Sequence, residues 1–572
     1  MKICGIKVTH DAGVALIDDG VLIFSVELEK VRNRERYSRL DDLSQVFDIL
    51  RQFDVDPRSV DKYVIDGWHR PDRVKPFFGV EVRLPTGPYR RGYLSDDLLH
   101  EYNYLTVDFP YVSYSHYAGH VMGGYCSSPF AKAGEDCTVL VWDGAMLPFL
   151  YQVSGRDGSV INLGCPFYLL GDAYYSIVQR FKPFDAPIDF PARLGLAGKI
   201  MAYTAYGKVD EEIISILDNL YKVITEKAIS SREHHGDIDL TENFGLEIMS
   251  QFNDAIYSSE FNSHPDFIAS WHAFLQKLLI SSLSYHLQRQ NIKANNFCFV
   301  GGCALNIKWN SALRKSGLFH SMWIPPFPND AGGAIGTACC AMVKHDRRVA
   351  LDWCTYSGPI VMESASPTNW STSSCDVRDL ARLLHETGDP CVILHGRAEL
   401  GPRALGNRSI VAPCTSTEMR SRLNDIKQRE WYRPIAPVCL QHRAQEIFDP
   451  GTPDEFMLYD HVVRPEWASR IPAVTHFDGT ARVQTVSAES NPFLFELLTE
   501  YEMASGIPVL CNTSANYNGR GFFPDVASAA GWGKVSQIWS AGKLYTCLDT
   551  KGSTSGEDKE GSEKIMVKAM SD

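Results

Sequence analysis

Apolar residues crowd the opening of the chain. Lys2 to Leu16 and Val21 to Val26 run or alternate apolar, and the turn Asp18-Asp19-Gly20 between them predicts a β-hairpin. A short apolar run stopped by an acid and a glycine returns at Cys137 to Gly144 (CTVLVWDG), and Asn296 to Gly302 (NFCFVGG) ends on two glycines before the helix-like ALNIKWNSALRKSG. Trp271 to Gln290 reads as a helix. Strands that end in glycine-rich turns and alternate with helices predict an α/β fold, and three such turns can converge on one nucleotide. Tyr356 to Ser374, rich in Ser, Thr and Pro, predicts a linker or loosely packed crossover. The expected organisation is a domain at 1–355, that linker at 356–374, a second domain at 375–550, and a polar, disordered tail at 551–572. No internal repeat is visible.

With 572 residues the chain exceeds one hydrophobic core, and 44% hydrophobic against 22% charged residues predicts globular domains. The net charge of −13 argues against nonspecific nucleic-acid binding, which needs a broad basic surface. The start carries no charged leader followed by a long apolar run, and no run approaches the roughly 20 residues that span a bilayer. A cytoplasmic protein without a membrane partner is expected. Its fifteen cysteines include no CxxC pair and should be reduced core thiols.

One stretch reverses the acidic balance. Leu394 to Ala412 (LHGRAELGPRALGNRSIVA) gathers Arg397, Arg403 and Arg408 around Gly401, Pro402 and Gly406. From Arg397 to Arg433 eight basic residues face four acids. Guanidinium forks bind phosphate bidentately, and glycines let backbone N–H groups approach the same oxygens. A solvated basic face is the alternative that charge alone leaves open, and Arg420 and Arg422 are read as solvated helix residues. Elsewhere, His116 and His120 stand at i and i+4, on one helix face and close enough to grip one metal. His10 follows the first strand and precedes Asp11 and Gly13. There it can serve as a general base or as a donor to the transition state, or merely cap a turn.

GPRALGNRS, NDIKQREWYRPIAP (Asn424 to Pro437), DGTARVQTV (Asp478 to Val486) and CNTSANYNG (Cys511 to Gly519), in this order, resemble the carboxy-terminal signature of the O-carbamoyltransferases of the nodulation-factor, aminoglycoside and cephem type. The likeness extends through the amino-terminal half. It implies a two-lobed actin/hexokinase-like domain followed by a YrdC-like α/β domain, and an enzyme that makes carbamoyl adenylate from carbamoyl phosphate and ATP, then passes the carbamoyl group to a hydroxyl of a small, antibiotic-like secondary metabolite. The opening segments lie closer to the cephem branch than to the nodulation branch. A tRNA-modifying threonylcarbamoyl enzyme and a nucleotide sensor without turnover are the alternatives; the acidic charge opposes the first, and the joint presence of metal and phosphate residues opposes the second.

Residue by residue, the resemblance adds Asp143 and Asp330 to His116 and His120 as a metal set, for which Fe²⁺ is favoured, with Mn²⁺ and Mg²⁺ as further candidates. It places a nucleotide against Asp11, Gly144, Gly301, Gly302, Asn306 and Gly332. Carbamoyl phosphate or its adenylate falls to Arg403, Arg408, Lys427, Arg433, Arg482, Asn512, Ser514 and Asn516, with Lys427, Arg433 and His10 catalytic. Asn512 and Asn516 can read the carbamoyl amide with one donor and one acceptor each. Lys199 falls near the acceptor cleft, or is simply solvated. Ala515 stands where the family carries an aromatic, so a nucleobase must stack elsewhere. Cys303 replaces an apolar residue at little cost. A homodimer is left open.

Overall fold

The computed structural model describes residues 1–68, 72–89, 97–106, 109–233, 242–257, 261, 263–293 and 295–548; the tail expected at 551–572 lies outside them. The apolar opening folds into β1 (Lys2–Lys7), β2 (Gly13–Asp18) and β3 (Val21–Glu27). The run from Lys2 to Leu16 is therefore two strands, broken at a turn in which Asp11 adopts φ 53°. The hairpin at Asp18-Asp19-Gly20 forms as the turn residues dictate, with Asp19 at φ 48° and Gly20 at φ 84°.

β1 is a central strand between antiparallel β2 and parallel β4 (Lys62–Asp66), Ile6 pairing with Val14 and Ile65, and both its faces are buried, one against the helix Gly333–Ala341 and the other in a separate apolar cluster. A ribbon of β5 (Asp72–Phe77) and β6 (Val80–Pro85) stands apart. β7 (Tyr102–Thr106) and β8 (Phe109–Tyr114) complete a six-stranded sheet ordered β3-β2-β1-β4-β8-β7. The second sheet contains β9 (Cys137–Val141), β10 (Phe149–Val153), β11 (Val160–Gly164), β12 (Asn296–Val300) and β13 (Ser321–Trp323), ordered β11-β10-β9-β12-β13. In each lobe two antiparallel hairpin steps lead to a central strand, followed by two parallel neighbours. This duplicated order is the two-lobed actin/hexokinase-like arrangement, and it is an internal repeat of structure that the sequence conceals.

The helices His116–Cys126 and Gly333–Ala341 cross between the lobes and are buried along their whole length. Ser115 caps the first by accepting from the Ala118 N–H at 3.3 Å. Small residues let the two backbones approach: a Cβ on Gly336 would overlap the Gly119 carbonyl oxygen. This crossing sets His116 and His120 beside the turn Asp330–Gly332 that starts the second helix.

A separate core runs from Cys375 to Trp539. It underlies an eight-stranded sheet that includes β14 (Trp370–Ser374), β15 (Cys391–Leu394), β16 (Arg408–Pro413) and β17 (Ala436–Leu440). Within the segment expected as a linker, β14 pairs with Lys543–Cys547 at the sheet edge, and Ser357 accepts from the Ser25 N–H at 2.9 Å. Its polar side chains suit an edge strand with one wet face. The carboxy-terminal domain is fastened to both lobes. On the second lobe, Lys308 reaches Asp460 at 3.5 Å and Asp478 at 2.7 Å, Asn310 donates to the Leu458 carbonyl at 2.8 Å, and Arg314 donates to Thr452 at 3.0 Å. On the first lobe, Arg397 donates to the carbonyls of Ile23 at 2.9 Å and Ser357 at 2.6 Å. All fifteen cysteines are free thiols. Among the described residues no helix is long and apolar enough to cross a membrane.

Gly336→Ala should force the crossing helices apart and cost about 2–4 kcal/mol. Thermal unfolding would show a fall of several degrees, together with loss of bound metal, because the same crossing positions the histidines.

Candidate functional site

Asp330 gathers the first cluster. His116 Nε2 lies 3.2 Å and His120 Nε2 3.4 Å from its Oδ1, while Lys7 Nζ lies 3.1 Å and His10 Nε2 3.5 Å from its Oδ2. One ligand atom from each of His116, His120, Asp143 and Asp330 fits within 4.8 Å of the others. Asp143 arrives from the end of β9, and its carboxylate accepts the Gly302 N–H. His120 Nε2 is buried without a well-formed hydrogen bond and Asp330 Oδ2 meets only Lys7 and His10, so both keep ligand capacity that a cation would use. Two imidazoles and two carboxylates suit a borderline divalent ion, and charge agrees: three acids (Asp66, Asp143, Asp330) less Lys7 leave two negative charges when both imidazoles are neutral.

Supporting groups surround these ligands. Asp66 accepts from His116 Nδ1 at 2.7 Å, directing Nε2 toward Asp330, and Lys7 bridges Asp66 and Asp330 at 3.1 Å each. Trp68 stands edge-on to His10 at 5.2 Å and to His116 at 5.3 Å, under the Lys7 ammonium at 4.5 Å. Burial disfavours charge on His116, yet Asp66 and Asp330 outweigh it and raise its pKa to about 9. His10 is raised too: burial opposes, and Asp330 and its 2.9 Å bond to Asp11 prevail.

The glycines expected around a nucleotide line the same turns. Gly301 holds φ 92° against the Trp142 carbonyl, and Gly302 and Gly144 leave no space for a Cβ beside Asp143 and Asp172. Gly332 packs on the Phe327 carbonyl. The Asn306 side chain is taken by the Trp309 N–H, 3.2 Å away, which it caps. The structure thus uses the Asn306 Oδ1 as a helix cap.

The second cluster is basic. Arg403, Lys427, Arg429, Arg433 and Arg482 converge, with Nε of Arg403, Nε and Nη2 of Arg429 and Nε of Arg482 buried and unpartnered. Burial and mutual repulsion push Arg403, Lys427 and Arg429 well below their usual values, lower Arg433, and bring Arg482 down to about 10. Lys427 gives its ammonium hydrogens to oxygens of Ser514 and Asn516, including the Ser514 carbonyl at 2.7 Å. Asn516 is further held by donating to the Arg520 carbonyl at 2.8 Å. Asn512 donates to the Ala404 carbonyl at 3.1 Å and to Gln484 at 2.8 Å, leaving its Oδ1 unpartnered.

Arg408 needs correction. Its Nη1 and Nη2 donate to the carbonyls of His395, Asn407, Pro359 and Gly396 at 2.8 to 3.3 Å, so it braces the β15–β16 turn and keeps only a buried Nε, with no two-nitrogen fork for phosphate. Arg397 is likewise spent on carbonyls, Gly358 among them at 2.9 Å. Arg420 donates to the Thr475 carbonyl at 3.2 Å, and Arg422 pairs with Asp389 at 2.7 Å. Lys199 is not simply solvated: it pairs with Glu430 at 2.6 Å, across the seam between domains. Ala515 is fully buried, within the core of the second domain.

Comparison with known proteins decides the family. The Carbamoyltransferase N-terminus family matches residues 2–78 and 89–339, and the Carbamoyltransferase C-terminus family matches 381–538. The chain belongs to the carbamoyltransferases. It is 44% identical to Nodulation protein U of Rhizobium tropici over 556 residues, 96% of each chain. It is 31% identical to the 3'-hydroxymethylcephem-O-carbamoyltransferase of Streptomyces clavuligerus over 551 residues, 94% of this chain and 98% of the relative. The nodulation relative is the more similar, which overturns the lean toward the cephem branch. Among solved structures, the ADPNP-bound activator of 2-hydroxyisocaproyl-CoA dehydratase from Clostridium difficile aligns over 61% of this carbamoyltransferase and 97% of its own length, at 11% identity and a TM-score of 0.32.

Sequence reasoning missed Lys7 and Asp66, and counted Arg429 in the basic run without placing it in the site. Lys7, a lone charge ending an apolar strand, was the available signal; Asp66 carried none, since only the fold brings it to the cluster.

His116→Ala combined with His120→Ala should purify without stoichiometric metal while remaining folded; unchanged metal content would remove the ligand set. In metal-free protein the raised pKa of His116 contributes stability that is complete below its usual 6.5 and lost as pH rises through about 9. Metal binding at pH 8 should therefore release close to one proton, read from the buffer dependence of the calorimetric enthalpy.

Proposed function

We propose that this enzyme makes carbamoyl adenylate from carbamoyl phosphate and ATP in its carboxy-terminal domain, read as YrdC-like, and delivers the carbamoyl group to a hydroxyl of a small secondary metabolite in its amino-terminal domain. The observation that carries this reading is the set of buried, unpartnered guanidinium N–H groups on Arg403, Arg429 and Arg482. Cations crowded in this way are tolerable only where a polyanion is bound, and ATP with carbamoyl phosphate brings roughly six negative charges.

In the first step carbamoyl phosphate, water and ATP yield carbamoyl adenylate, phosphate and pyrophosphate. Arg403, Arg429, Arg433 and Arg482 hold the phosphates. Lys427, its pKa pushed well down by burial and by Arg429, stands among these arginines and follows the developing negative charge. The Asn512 carbonyl is placed to accept from the carbamoyl amide. In the second step the acceptor hydroxyl attacks the carbamoyl carbon, AMP leaves and the hydroxyl proton is released. His10, oriented by Asp11, faces this group. His116, His120, Asp143 and Asp330 would hold a divalent ion, Fe²⁺ favoured with Mn²⁺ or Mg²⁺ as further candidates, and its chemistry there is to polarise the phosphate that departs. Lys7 and Asp66 keep Asp330 and His116 in place.

Greater similarity to Nodulation protein U than to the cephem enzyme directs the acceptor panel toward nodulation-type alcohols first. Reactions with ATP, carbamoyl phosphate and such a panel should show an acceptor mass gain of about 43 Da, absent when either co-substrate is withheld. Pyrophosphate release independent of carbamoyl phosphate would overturn the first step. Lys427→Ala should lower pyrophosphate release at least about 100-fold while transfer from supplied carbamoyl adenylate stays within about threefold.

A further inference from the structure

The segment from Leu28 to Leu40 leaves the first lobe, crosses to the carboxy-terminal domain and returns. On the way out, the Lys30 ammonium pairs with Glu27 at 3.0 Å and donates to the carbonyls of Glu399 and of Gly401, the latter at 2.8 Å, while the Gly401 N–H donates to Glu27 at 2.7 Å. At its far point the Phe522 N–H donates to the Glu29 carbonyl at 2.8 Å and the Arg36 N–H to the Gly519 carbonyl at 3.1 Å. On return the Ser38 carbonyl accepts from Ala12, next to Asp11, at 2.9 Å. Arg36 is therefore fixed by its backbone against the end of the Cys511–Gly519 motif, three residues from the Asn516 that holds Lys427.

Its guanidinium rests 4.9 Å from the centre of the Tyr37 ring, and among the described residues no carboxylate lies within ion-pair distance. The acid most directly opposed to it, Glu29, is raised by burial to about 7 and so supplies only part of a charge at neutral pH. The Arg36 charge meanwhile bears on Arg403, Lys427, Arg429 and Arg433, depressing each. Tyr37 first, then Glu29 and Asp11, raise Arg36 above its usual value against burial, so it stays charged, and its backbone anchor on Gly519 holds that charge beside four other cations with no described carboxylate in ion-pair reach.

We propose that Arg36, carried by the metal-binding domain, is a further anion-binding residue of the carboxy-terminal pocket, gripping the phosphate groups of the nucleotide from the side that faces His10 and Asp11. This rests on the proposed adenylate-forming reaction and names a residue that completes its site from the other domain.

The test uses the full chain and inorganic pyrophosphate as probe. Arg36→Ala should bind pyrophosphate about 10- to 100-fold more weakly by calorimetry, and Arg36→Lys should recover part of that loss. Ligand-free Arg36→Ala should melt within a few degrees of wild type, because no described carboxylate loses an ion-pair partner with the guanidinium, and its metal content should match wild type. Pyrophosphate affinity within twofold of wild type, or a larger fall in ligand-free melting temperature with no recovery by lysine, would overturn the assignment. If wild type itself binds no pyrophosphate and releases none from ATP with carbamoyl phosphate, the adenylate reaction fails and this inference with it; a competent wild type beside an unaffected Arg36→Ala sinks this inference alone.

Discussion

A carboxylate buried between two sheets has to be neutralised, and the amino-terminal domain is built around that requirement at Asp330. The acid is 3% exposed, and the fold brings it Lys7 from the end of β1, His10 from the turn beyond, and two imidazoles from the crossing helix. These four donors come from three elements, so none could be moved without disturbing a strand, a turn or the helix crossing. The glycines at 119 and 336 serve this purpose: they bring the two helices near enough for the histidines to reach. A divalent cation would complete the neutralisation, and a raised imidazole pKa is what the same field produces without one.

The carboxy-terminal pocket shows the inverse problem. Like charges have been collected and dried, and several of their N–H groups have no protein acceptor. Such a pocket is costly by itself and selective for that reason, since a ligand of high negative charge relieves more repulsion than a monoanion can. Lys427 shows how finely this is poised: it is satisfied by neutral oxygens of Ser514 and Asn516 until a stronger partner appears.

Short-range pattern was legible in the sequence. The turn at Asp18 to Gly20, the strands at Cys137 and Asn296, and the histidine spacing on the Ser115-capped helix all follow from local chemistry. What escaped depends on where the chain goes next. Arg397, Arg403 and Arg408 share one basic stretch, yet only Arg403 faces its cationic neighbours, because the turn between β15 and β16 directs the other two at backbone carbonyls. Low sequence complexity at 356–374 concealed an edge strand whose partner lies some 170 residues away. The two lobes repeat one strand order with no common residues to reveal it, since the order is enforced by connection rules and the side chains by each lobe's own core.

The attachment of the carboxy-terminal domain to both lobes has a mechanical meaning. Two-lobed domains of this build commonly admit ligands by swinging one lobe about the joint between the crossing helices. Here Lys308, Asn310 and Arg314 tie one half to the same body that Lys30 and Arg397 tie to the other, so the carboxy-terminal domain acts as a strut across the jaw. Any such swing must break the ion pairs and hydrogen bonds of one flank or the carbonyl contacts of the other, so the two lobes are braced against one another, and the Lys199–Glu430 pair adds a further tie across the same seam.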